Sequence, residues 1–225
     1  MVTQPSISVR GEAVLEVDPE IAVISVAVMV RDKDRRRAVD LLAKRNGKVL
    51  AMVRALGEAV DKVESGAASV HPEFKDGGRG KDRVTGYVAR GNISVTISDF
   101  TVLGDLVTGL AGEEMVAVTG PWWSLRPDSP VRRRARVSAA QDALQRAREY
   151  ADAFGATVTE LVQLADPGLL ADADRPQIVH ARTAGRAEAF ATAAAAEELE
   201  FEPVKQSVRA VVDARFLMTA PTLGG

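Results

Sequence analysis

The chain carries two histidines and no cysteine in 225 residues. Without a thiol, disulfides, thiolate nucleophiles and thiolate metal sites are all excluded. His71 and His180 lie far apart and in no HxxxH or HxH ligand pattern. A zinc site or a Ser-His-Asp hydrolase would have to recruit one of them, and no G-x-S-x-G motif accompanies either. His71, beside Pro72, reads as a strand-end residue. The loop Gly77-Gly78-Arg79-Gly80-Lys81 offers backbone N–H groups to an anion. It lacks Walker spacing and does not lead visibly into a helix, so it reads as a hairpin tip. No catalytic residue, metal ligand or cofactor is assigned, and a hydrolase built on an unrecognised acid pair ranks last.

Charge and aromatic clusters are more informative. Arg35-Arg36-Arg37 and Arg132-Arg133-Arg134 each fall in the first turn of an expected helix. Exposed cations there oppose the helix dipole by roughly 0.3–1 kcal/mol each. Pairing with the local acids Asp32, Asp34 and Asp128 is the first reading of what offsets this. An acidic partner surface is the second and nucleic acid the third. Trp122-Trp123 lies in an expected strand, so the two rings point to opposite faces. One can enter the core while the other anchors an interface, or both pack under a helix. These eight residues are the candidate interaction surface.

The elements that position them follow from periodicity. Ile7, Val9, Ala13, Leu15 and Val17 alternate with polar residues, giving a strand with one wet face; Gly11 within it marks a bulge or a close contact. Ile21 to Val30 is apolar on both faces and reads as a central strand covered on both sides. Asp34 caps a helix running to about Val60, with Ala38, Leu41, Leu42, Val49, Met52, Val53 and Leu56 on its buried side. Val63 to Phe74 reads as one strand, joined by the polar segment Lys75 to Asp82 to its partner Val84 to Ser98.

Phe100, Leu103, Leu106, Val107 and Leu110 share one side of the next helix. Met115 to Leu125 is a strand whose Pro121 calls for an edge or a bulge. Pro130 opens the longest helix, which runs to about Phe154 and stops at Gly155. Along it, Ala135, Ala139, Ala143, Ala147 and Ala151 form a ladder that permits close approach. Val158 to Ala165, a short segment Ile178 to Arg182, and Val204 to Met218 complete the strands. Residues 186–199 read as an alanine-rich helix or linker.

The order β-β-α-β-β-α-β-α-β-β places the chain in the α+β class, with long antiparallel strands packed by two main helices. Residues 5–219 read as a single domain, since no stretch rich in Gly, Pro and Ser separates two folding units. Apolar residues make up 46% and aromatics 4%, so the core is built from Val, Ala, Leu and Ile. The formal charge of −2 gives no long-range attraction to nucleic acid. The start of the chain lacks a basic segment followed by an apolar run, and Ile21 to Val30 is too short to span a bilayer. Cytoplasmic location is the expectation.

Several segments together resemble the SIMPL-domain family. They are Ile7 to Ala13 with its glycine, Asp18-Pro19, Asn46 in mid-helix, Gly86-Tyr87-Val-Ala-Arg-Gly-Asn92, and Asp99 with Leu103-Gly104. Tyr150-Ala-Asp-Ala-Phe-Gly155 and Pro203 complete the set. Tyr87 and Asn92 are an odd number of positions apart and point to opposite faces, which disfavours a shared catalytic role. The resemblance covers nearly the whole chain. It implies a family without an agreed biochemical activity. Its bacterial branch consists of exported envelope proteins that assemble and are linked with stress defence; its animal branch resembles a kinase-binding adaptor. The resulting expectation is a non-enzymatic assembly or interaction protein that forms a homo-oligomer or meets a protein partner. An anion or small-ligand binding module using the arginine runs is the alternative.

Overall fold

Small and β-branched residues at alternate positions build the larger of two sheets. The computed structural model describes residues 4–75, 83–169 and 199–222. The Gly77–Lys81 loop, the segment Ile178 to Arg182 with His180, and all of 186–199 but Leu199 lie outside the described residues. The chain divides into two compact units, each assembled from separated stretches. The described part of one comprises residues 4–17, 127–169 and 207–222; that of the other comprises 18–75, 83–126 and 199–206.

The second unit contains β2 (Ile21–Asp32), α1 (Arg35–Arg54), β3 (Val60–Ser65), β4 (Ser69–Lys75), β5 (Arg83–Ile97), α2 (Leu103–Ala111) and β6 (Val116–Ser124). Its sheet has the order β3-β5-β2-β6, with β4 also paired to β5. All of these pairings are antiparallel. Ala22, Ile24, Val26, Val28 and Val30 are wholly buried in its core with Val49, Val53, Ile93, Val95, Ile97, Leu103 and Leu110. β2 is central, as expected, but it is covered on one face only. Ala27 is exposed on the other face and Met29 is 42% exposed. A largely apolar run does not distinguish one covered face from two when outward residues are small, as Ser25 and Ala27 are.

α1 begins where Asp34 accepts a hydrogen bond from the Arg37 N–H at 2.9 Å. It ends at Arg54, earlier than the expected Val60, because Gly57 takes a φ of +57° that L residues rarely adopt. The expected strand from Val63 to Phe74 is two strands. The chain breaks at Gly66, whose N–H donates to the Asn92 carbonyl at 2.7 Å, and both pieces pair with β5 in sequence. The observed order is therefore β-β-α-β-β-β-α-β-α-β-β. β6 lies at the sheet edge, and its register with β2 shifts between Val23 and Ser25, beside Gly120-Pro121.

The first unit contains β1 (Ser6–Val17), α3 (Pro130–Ala153), β7 (Val158–Ala165) and β8 (Gln206–Met218), in a sheet of order β1-β8-β7. Ser129 caps α3, with Pro130 in its first turn. All five ladder alanines are fully buried. A Cβ at Gly11 would stand 2.0 Å from the Ala139 carbonyl oxygen and 2.6 Å from the Ala143 nitrogen. Backbone thus lies directly against backbone, and the close-contact reading of Gly11 is the correct one. Val9, Ala143, Ala147, Ala214 and Phe216 form this unit's small core.

Candidate interaction surface

The six arginines sit where the sequence puts them, in the first turns of α1 and α3, and all are exposed. Local acid pairing does not explain them. None of their side chains has an ion pair with another described residue. The acids nearest α1 serve the backbone instead: Asp34 caps Arg37 N–H, and Asp32 accepts from Asp34 N–H at 2.8 Å. Each run belongs to a different unit.

The two tryptophans divide as strand geometry requires. Trp123 packs on the core of its unit and meets the Phe100 ring edge-on at 4.8 Å. Trp122 is 46% exposed, opposite Val23 on the outer sheet face. His71 is exposed within β4 rather than at its end. Asn46 lies over the backbone of Gly91, where a Cβ would come within 2.9 Å of Asn46 Nδ2. Its Oδ1 is buried without a hydrogen-bond partner in the described residues. Tyr87 packs on the core, whereas Asn92 takes the Ser25 hydroxyl bond at 2.9 Å in an exposed position. They do not form one site.

Two of the acids that titrate low are clamped by arginines. Arg10 donates to both oxygens of Asp213 at 2.7 and 3.1 Å, and Gly168 N–H adds a bond at 3.1 Å. The Arg10 hydrogen bond is the main cause that holds the Asp213 carboxyl below the usual range. Asp61 is lowered by the Ser98 hydroxyl and then by Arg126, which contacts it at 2.8 and 3.0 Å. Both are structural clamps on a surface. Among the described residues, no group of three or more His, Asp or Glu side chains is placed to hold a metal.

One apolar opening was not revealed by residue motifs. It runs beside α3 in the first unit, as a cavity of about 450 Å³ bounded by Arg136, Leu164, Asp166 and Val212. A second cavity of about 320 Å³, bounded by Leu144, Arg148, Glu160, Leu161 and Phe216, shares Ala140 and Leu164 with it. Together they form one groove between α3 and β7. β7 pairs Val158 with Met218, Leu161 with Phe216 and Leu164 with Ala214, shifting register between each pair. These shifts bring residues three apart onto one face, the face on which Ala214 and Phe216 are buried beside α3. Leu161 and Leu164 are nevertheless 50% and 51% exposed. The signals in the sequence were the absence of alternation in Val158–Ala165 and a second stripe, Arg136, Ala140, Leu144, Arg148, running beside the alanine ladder.

The profile of the family described as SIMPL, protein of unknown function (DUF541), matches residues 7–216. The chain belongs to the SIMPL family. It is 25% identical over 176 residues to the 26 kDa periplasmic immunogenic proteins of Brucella melitensis and Brucella abortus, covering 74% of this chain and 68% of each relative. It is also 24% identical over 156 residues to the uncharacterized protein YggE of Edwardsiella ictaluri, covering 68% of this chain and 64% of that protein. SIMPL membership names no activity, and these relatives' names assign no reaction. Among the described residues of this SIMPL protein, no helix is long and apolar enough to cross a membrane.

Proposed function

We propose that the protein acts by binding and not by catalysis, as an interaction module that self-associates or engages a protein partner in a stress-related role. The observation that carries this reading is the groove beside α3, where half-exposed Leu161 and Leu164 border a floor containing Phe216. A contiguous apolar surface open to water is costly unless something covers it. Trp122 adds an exposed aromatic on the other unit. Static light scattering over a rising concentration series tests self-association. The expected result is a mass above the 23.9 kDa of one chain; a monomer throughout removes self-association and leaves the hetero-partner. Turnover of a generic ester or phosphate substrate, abolished by one side-chain substitution, would overturn the binding reading itself.

The second reading is an anion-binding module. It is favoured by the six arginine side chains that make no ion pair with described residues. Retention on heparin that falls steeply with salt supports it, and absence of binding at low salt disposes of it. The location proposed from the sequence is the cytoplasm, whereas the Brucella relatives are named periplasmic. Fractionation of the native host separates the two.

A further inference from the structure

We propose that the groove beside α3 receives a helix of a partner polypeptide, with an apolar stripe facing the sheet and acidic residues along the flank next to α3. This rests on the binding reading above and names the partner's chemistry. The cause of the groove is the seam at Gly11. Because backbone meets backbone there, α3 is drawn over β1, and the leucines of the far strand on the same face are left half-exposed.

The dimensions suit a helix. In the order β1-β8-β7, β7 lies two strand spacings from β1, about 9.5 Å. Helices packed side by side stand about 8–10 Å apart. A second helix laid beside α3 therefore falls over β7. The groove wall from Arg136 to Arg148 covers twelve residue steps, about 18 Å or somewhat over three turns. An added strand fits less well. The register of β7 shifts twice along its length, and bulges of this kind spoil an edge for pairing with another strand.

Charge specifies the flank. Arg136 and Arg148 stand at the two ends of the α3 wall, and neither has an ion pair with a described residue. Glu160 and Asp166 stand on the β7 wall. The partner's acids therefore belong beside α3, about three turns apart.

The probe is a labelled synthetic helix of about 16 residues, with leucines on one stripe and two glutamates about eleven residues apart on one flank. Fluorescence anisotropy with the full chain at low salt is expected to show saturable binding. Leu161→Asp with Leu164→Asp should weaken it at least about tenfold. Arg136→Glu with Arg148→Glu should weaken it by about fivefold, and a lysine-for-glutamate peptide should restore the loss. Thermal melts check that each pair of substitutions leaves the fold intact. Should the leucine pair fail to fold, the arginine exchange decides alone, since those side chains lie at the groove's rim. No saturable binding up to about 1 mM overturns the proposal, as does binding indifferent to both pairs of substitutions. Where the peptide result overturns this site, self-association that persists in the leucine variant leaves the broader binding reading standing.

Discussion

Both units lay helices on one face of a sheet, yet they finish the face differently. In the larger unit, α1 and α2 between them cover a core whose inward residues on β2 and β5 are buried from Ala22 to Val30 and from Ala89 to Ile97. Among the described residues of the smaller unit, a single helix is pressed onto one edge of a three-stranded sheet, and the opposite edge carries half-exposed leucines. The contrast teaches that large side chains and small ones seal a sheet in different ways. Ile, Leu and Val hold helices at a distance and fill the space between. The alanine and glycine seam closes one contact completely and leaves nothing to reach the neighbouring strand.

Substitutions can break or sharpen this contrast. The largest effect is expected from Ile24→Ala, in the middle of the larger core. Removing a wholly buried isoleucine should cost about 4 kcal/mol, read from urea unfolding. Gly11→Ala comes next. The added methyl meets the α3 backbone, which cannot yield as a flexible side chain does, and the expected loss is about 2–3 kcal/mol. If Gly11→Ala proves neutral, α3 is not seated on β1 as described.

Asp213→Asn follows, at about 1 kcal/mol, discounted because Arg10 is 53% exposed. Its pH dependence has a definite sign. The folded carboxyl titrates below its unfolded value, so its contribution is complete above the unfolded pKa of about 3.9 and is lost as pH falls through the folded one. The difference between parent and Asp213→Asn should therefore shrink below about pH 4; a constant difference would show that the charge is irrelevant. Asp61, lowered by Ser98 and Arg126 in the other unit, should behave in the same sense.

Most of the fold was legible because its elements announce themselves at both ends. Asp34, Pro130 and Gly155 mark helix boundaries, and the alternation of Ile93, Val95 and Ile97 marks a half-buried strand. The division of Val63 to Phe74 at Gly66 was not legible, since two short strands sharing one neighbour look in sequence like one longer strand. The groove was harder still. Leu161 and Leu164 are an odd number apart, and a regular strand would send them to opposite faces; only the register shift in β7 unites them. Candidate residues chosen by type fared unevenly. The tryptophans divide between solvent and core, one of the two readings the sequence left open, and the arginines face solvent; Asp32 and Asp34, expected to pair with them, accept from backbone N–H groups instead.

The seam at Gly11 also sets a gauge. Backbone lies against backbone where Gly11 meets Ala139 and Ala143, so a methyl group added at Gly11 shifts the helix rather than denting it. The seat of α3 on the sheet, and with it the wall it gives the groove on its far side, is thus set by residues that do not line that groove.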